Sequence, residues 1–152
     1  MILLPMLGAA LFSQNRYDFD SRVDFSLTLK ELNALIEKGR TGAAPTQKIV
    51  ILSGTLSNIA FLDETTGSYA VQVELTGGEW INVEEVKSYR VLINFSGREF
   101  EKYFNKLRGP DAPAEKIEIN SSVIIAAQIL STVSYNGKTV WLLKGFHVRK
   151  IE

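Results

Sequence analysis

Val123-Ile-Ile-Ala-Ala-Gln-Ile-Leu130 leads through Tyr135 to Asn136-Gly137, and Lys138 to Val148 leads away again. Both arms are β-rich and largely apolar, and Asn-Gly supplies the two positive φ angles that a two-residue type I′ turn needs. The stretch reads as a β-hairpin. Upstream of it the pattern gives three more strands. Lys48 to Ile59 is long and interrupted by Gly54, and a glycine there lets one strand bend and serve both halves of a closed barrel. Asp63 to Gly67 is a turn. Tyr69 to Leu75 alternates, with Tyr69, Val71, Val73 and Leu75 on one side and Ala70, Gln72 and Glu74 on the other. Tyr89 to Phe95 puts Val91, Ile93 and Phe95 on one face.

Between that third strand and the hairpin the period changes. Ser96 reads as the cap of a helix whose Phe100, Tyr103, Phe104 and Leu107 fall at i, i+3, i+4 and i+7. This aromatic stripe is expected to plug one end of a barrel, and Gly109 to Pro113 stops the helix. The order is strand-strand-strand-helix-strand-strand, which predicts a mainly β, five-stranded OB-fold barrel. Its expected bounds are 47–152, with 1–46 a helical extension and arm packing on it. Within the extension, Leu4, Leu7, Leu11 and Phe12 recur at helical spacing and Pro5 suits a first turn. The apolar start lacks the charged opening of a signal peptide and is too short to span a bilayer, so no membrane role is expected. Residues 13–27 read as a loop or extended arm. Thr28 with Glu31 forms a capping box that opens a helix through Leu29, Leu32, Leu35 and Ile36, ended by Gly39. Residues 39–46 have the composition of a linker.

The chain has 152 residues, and 17 basic side chains balance 17 acidic ones. The basic excess that marks tight phosphate binding is absent overall, though a local patch is compatible with the balance. Without cysteine there is no disulfide, thiolate zinc site or thiol nucleophile. The single histidine, His147, lies between Phe146 and Val148 and reads as a strand residue half-exposed on the barrel. No phosphate-binding glycine loop, dinucleotide fingerprint or calcium loop occurs. Glu84 and Glu85 are adjacent, so on a strand they point apart and in a loop they are solvated. The expectation is a non-enzyme with no cofactor.

Two binding roles are open. Barrels of this type bind single strands by stacking bases on aromatics of strands two and three within a basic groove. Tyr69, Trp80, Tyr89 and Arg90 are candidates, with Lys48, Lys87, Arg98 and Lys144 for phosphates. Tyr69 shares the apolar parity of its strand, Trp80 lies in the predicted excursion 77–87, and Arg90 has outward parity. The other role is protein binding, through carboxylates at Glu99, Glu101, Asp111, Glu115 and Glu118. Arg98, Lys102, Lys106 and Arg108 interleave with the first two, and only the stretch from Asp111 to Glu118 leans acidic.

Leu4-Pro5-Met6-Leu7 followed by Ala10-Leu11-Phe12 is similar to a Pro-Trp-Ile-x-x-Leu-Ile segment, with Met6 where the tryptophan would stand. Asn94-Phe95-Ser96 is similar to an Glu-Phe-Ser strand end. Phe104, and then Glu118 to Ser121 before a Val-Ile-Ile strand, complete the match. On these residues the chain resembles the telomerase-associated OB-fold family, shared by the third ever-shorter-telomeres protein of budding yeasts and the telomerase-recruiting domain of animal shelterin. The resemblance implies a nuclear, non-catalytic telomerase accessory subunit that helps recruit or activate the enzyme at chromosome ends. Its partners would be the telomerase reverse transcriptase and other ribonucleoprotein subunits, with weak or no direct binding of single-stranded nucleic acid. Carried over by position, the partner surface would involve Met6, Asn105, Glu118 and Ser121, with Glu84 and Glu85 less secure, and the carboxylate at Glu99 added from the charge pattern. The alternative is a single-stranded nucleic-acid-binding subunit of another genome-maintenance complex, working through Lys48, Trp80, Arg90 and Lys144.

Overall fold

A computed structural model describes residues 18–65 and 67–151. Residues 18–22 are helical and are followed by strand β1 (Val23–Asp24) and helix α1 (Leu29–Glu37). Five long strands follow: β2 (Ile49–Asp63), β3 (Ala70–Trp80), β4 (Val86–Ser96), β5 (Ser122–Tyr135) and β6 (Lys138–Lys150). Their order is β2-β3-β4-β6-β5, and β5 returns to pair with β2, so the sheet closes on itself. The β4–β6 contact is parallel and the other four of the ring are antiparallel. This is the OB-fold barrel that the sequence predicts. β1 adds a short parallel pair at Val23↔Ile49.

β2 belongs to both halves. Residues 49–55 pair with β5 and residues 55–63 with β3, so the handover falls beside Gly54. A Cβ at Gly54 would meet the Thr76 carbonyl at 2.6 Å, which explains why the pivot has no side chain. Inward positions alternate along every strand and build the core: Val50 and Leu52, Val73 and Leu75, Ile93 and Phe95, Ile125 and Ile129, Leu143. One barrel mouth is closed by α1. Its capping box is formed by Thr28 and Glu31, and Leu29 and Leu32 are buried beneath it. Trp141 reaches up from β6, and its indole N–H donates to the Leu32 carbonyl at 2.7 Å.

At the other mouth the predicted helix is not formed. The segment holds two three-residue 3-10 turns, Arg98–Phe100 and Gly109–Asp111. Gly97 sits at φ +120°, outside helical space, at the point where the helix would begin. Asn105 turns its amide onto the Glu101 carbonyl (2.9 Å) and accepts from the Leu107 N–H (3.1 Å), competing with helical hydrogen bonding. The aromatic stripe still plugs the mouth. Phe100 and Phe104 pack on Phe95 at ring-centroid distances of 4.8 and 5.2 Å, while Leu107 stays exposed. Two further expectations are corrected. Residues 77–87 are not a loop: the pairing runs from Gly77↔Tyr89 out to Trp80↔Val86 and makes a hairpin arm. Part of the expected arm at 13–27 is helical at 18–22. The first predicted helix, 1–12, lies outside the described residues.

Candidate nucleic-acid interface

The residues of β3 and β4 that do not enter the core face outward in matched rows: Gln72↔Asn94, Glu74↔Leu92, Thr76↔Arg90 and, at the tip, Trp80↔Val86. The centre of this face is a small polar cluster. Glu74 is buried, which an outward carboxylate tolerates only when its oxygens are satisfied. Arg90 Nε lies 2.8 Å from one oxygen, and the Tyr135 hydroxyl donates to the other at 2.9 Å. The Arg90 guanidinium is also 6.0 Å from the centre of the Tyr135 ring. Tyr135 ends β5, beside the Asn136-Gly137 turn whose φ angles are +50° and +74°. The β5–β6 hairpin is therefore drawn down over β4, and Leu92 is buried despite its outward parity. Next to the cluster, Gln72 Nε2 and Asn94 Oδ1 are 2.9 Å apart.

The arm beyond this cluster has two different faces. Its inner face is tied to α1. Glu79 accepts from Lys30 Nζ at 2.8 Å and from the Tyr89 hydroxyl at 2.5 Å, and Lys87 Nζ lies 2.9 Å from Glu37. The hydrogen bond from Lys30, then that from Tyr89, holds the Glu79 carboxyl below its usual range. The Glu79 carboxylate, with burial adding to it, pushes the Tyr89 phenol up to about 12. The outer face is apolar and open: the Trp80 side chain is 73% exposed, and Ile81, Val83 and Val86 are exposed around it. An arm clamped on one side and bare on the other presents an indole in a fixed place.

Trp80 and Arg90 thus share one outward face, and Lys144 stands two strands away from Gln72 in the row Gln72–Asn94–Lys144. Lys48 lies just before β2, apart from them. Tyr69 is buried, its hydroxyl donates to the Phe104 carbonyl, and burial pushes it up to about 12, so it is a core residue. Tyr89 and Lys87 serve the arm clamp, and Arg98 is held by Glu101 at 2.8 Å and the Thr65 carbonyl at 2.9 Å.

The residues of the expected protein-binding set divide between the two ends of the barrel. Glu84 and Glu85 are exposed in the turn of the arm, on the α1 side. Glu99, Asn105, Glu118 and Ser121 gather at the opposite mouth, where Glu118 lies 3.4 Å from Lys116 and the Ser121 carbonyl accepts from Leu56. A cavity of about 580 Å³ opens at that mouth between Phe61, Arg98, Lys102 and Asn105. Met6 lies outside the described residues. Sequence reasoning missed Tyr135, whose only signal was its place beside the Asn-Gly turn. It also missed the outward run on β6, for which a glycine inside a strand, Gly145, was the available sign.

No protein-family model matches this chain, and no curated protein does. Solved structures do. The N-terminal domain of PriB from Thermoanaerobacter tencongensis is similar at TM-score 0.43 and 20% identity, over 68% of this chain and 96% of that one. A small single-stranded DNA-binding protein from Streptomyces coelicolor gives 0.46 and 8%, over 68% and 93%. The Plasmodium falciparum SSB in complex with ssDNA gives 0.44 and 13%, over 68% and 94%. At these identities the likeness is one of fold. The OB fold itself rests on the strand order and closure described above, and none of these structures is of the telomerase-associated family. The expected partners, telomerase subunits with weak or no direct contact to single strands, are corrected: the matched structures include proteins named for binding single-stranded DNA, one of them solved with it.

Proposed function

We propose that this chain is a non-catalytic OB-fold module that binds single-stranded nucleic acid across the outward face of β3 and β4. The observation that carries the reading is Trp80: an indole held out to solvent on a clamped arm, on the same face as Arg90 and Tyr135. Aromatic faces accept any base, and stacking contributes about 1–3 kcal/mol per base. Glu74 serves as a positioning residue, fixing the guanidinium and the phenol so that little side-chain freedom is lost on binding. Three of the five ring strands thus meet at one surface, with the β5–β6 hairpin as its wall, as OB folds use the strand 2–3 face and the last hairpin.

The chain has two tryptophans, and Trp141 is buried against Leu32, so Trp80 is an intrinsic reporter. Titration with oligodeoxythymidylate at low salt is expected to quench the exposed emission saturably, and duplex of equal length to quench it far less. Trp80→Ala is expected to weaken binding, followed by anisotropy of a labelled strand, by about 1–3 kcal/mol while leaving the far-UV spectrum intact. Absence of any quenching at low salt defeats the proposal.

A further inference from the structure

The outward face of β6 carries a charge pattern that the β3–β4 face lacks. Paired against β5, the register reads Gln128↔Lys144, Ala127↔Gly145, Ala126↔His147, Ile125↔Val148 and Ile124↔Arg149. Phe146 has no partner in that series: it is the extra residue of a β-bulge. The bulge decides what faces water. In an unbroken pleat, Phe146 and Val148 would follow Lys144 to the outside, and His147 and Arg149 would point into the barrel. With one residue inserted, Val148 is 1% exposed, and Lys144, His147 and Arg149 stand together on the surface. Bulges re-aim side chains in this way.

The resulting stripe is electrostatically unspent. Among the described residues, Arg90, Lys30, Lys87, Arg98 and Lys106 each lie within ion-pair distance of a carboxylate, whereas no such pair includes Lys144 or Arg149. The outward neighbours on β5 are Gln128, Ala126 and Ile124, so no acid stands beside it there. Successive outward positions on a strand are about 6.7 Å apart, a step that one sugar–phosphate unit of an extended strand can span. Lys144 Nζ also lies 5.5 Å from the centre of the exposed Phe146 ring, which places a flat apolar surface beside the cation.

We propose that this stripe is the phosphate track of the interface: Lys144, His147 and Arg149 contact consecutive phosphates of a single strand, and Phe146 offers its ring to a base. The inference rests on the reading of β3 and β4 as the single-strand face and extends it. β4 and β6 run parallel and meet at Asn94↔Lys144, so a strand that passes Trp80 and Arg90 continues along β6 without reversing. Charge complementarity selects the occupant: three successive donors with no acid opposite them on β5 and no ion pair consuming Lys144 or Arg149 suit a polyanion, with Glu115 as the carboxylate that shares a pocket with His147 and Arg149.

The test measures binding of oligodeoxythymidylates of about 6 and about 20 nucleotides, lengths that bracket the 4–16 nucleotides of single OB folds, against salt concentration. Each phosphate contact contributes about 0.7 to the slope of log K against log salt for single strands. The double variant Lys144→Ala/Arg149→Ala is expected to lower the slope for the longer strand by about 1.4, two such contacts, and to keep saturable quenching of Trp80. Lys38→Ala/Arg40→Ala removes the same charge elsewhere and is expected to leave the slope unchanged. If the longer strand quenches Trp80 and the slope is the same in the Lys144/Arg149 variant as in the parent, the track is overturned and the β3–β4 site stands. If no strand quenches Trp80 in the parent protein, both fall.

Discussion

The Cβ that alanine would add at Gly145 would lie within 2.6 Å of three ring carbons of Phe95, which fills the barrel floor between Phe100 and Phe104. Overpacking of this kind costs about 1–3 kcal/mol, so Gly145→Ala is expected to lower the urea midpoint without changing the slope of the transition. At Glu74 the argument is one of satisfaction rather than volume. Glu74→Ala leaves the Tyr135 hydroxyl and Arg90 without their acceptor, and the expected loss is about 1–3 kcal/mol, read by the same measurement. In the sequence Glu74 was visible only as an outward polar position. Its partners, fifteen or more residues away on other strands, were not. Parity did identify Arg90 as outward and Tyr69 as inward, because one strand position decides each. His147, expected half-exposed on a strand, is an exposed residue of β6; the bulge that lets Arg149 face outward beside it was not legible, because a lone phenylalanine announces nothing.

At the level of elements, capping box and hairpin turn were legible because a few adjacent residues determine them. The segment 97–121 was not. Its aromatics recur at helical spacing, yet Gly97 at φ +120° and the back-bonding of Asn105 keep the backbone in short turns. The same side chains reach the core either way, so the spacing predicted the packing and missed the conformation. Two element-scale predictions follow from β6 and from the arm. Deleting Phe146 removes the bulge but keeps Gly145 opposite Ala127 and His147 opposite Ala126, so His147 and Arg149 still face outward and Val148 inward. The deletion is expected to shift thermal stability by no more than the ~1 kcal/mol of an average substitution, and Phe146→Ala to leave it nearly unchanged. The arm is held by Glu79 and Glu37, whose carboxyls lie below their usual range because of Lys30 and Lys87. A lowered carboxyl stabilises above the unfolded-state range and ceases to do so as pH falls through the lowered value. Hydrogen exchange of residues 77–89 is therefore expected to accelerate in acid below the ordinary glutamate range, before the core opens, and Lys87→Ala to reproduce part of that loosening at neutral pH.

On the scale of the molecule, the strand order could be anticipated since each strand and its turn are local, and Gly54 marked the shared first strand. Closure into a barrel was anticipated with it, but the residues of the closing seam could not be, because no local pattern relates them: Val91 to Asn94 on β4 meet Trp141 to Lys144 on β6. That seam is four residue pairs long and parallel. A barrel sealed by such distant contacts is expected to refold in milliseconds to seconds rather than microseconds, which stopped-flow Trp141 emission in a Trp80→Phe background measures. During synthesis the seam imposes a delay. At about 5–20 residues per second, the stretch that separates the two sides takes on the order of 3–10 s to translate. Throughout that interval the edge of β4 is an unpaired template emerging from the ribosome, so a chaperone that shields strand edges has most to offer this protein before its last strand is made.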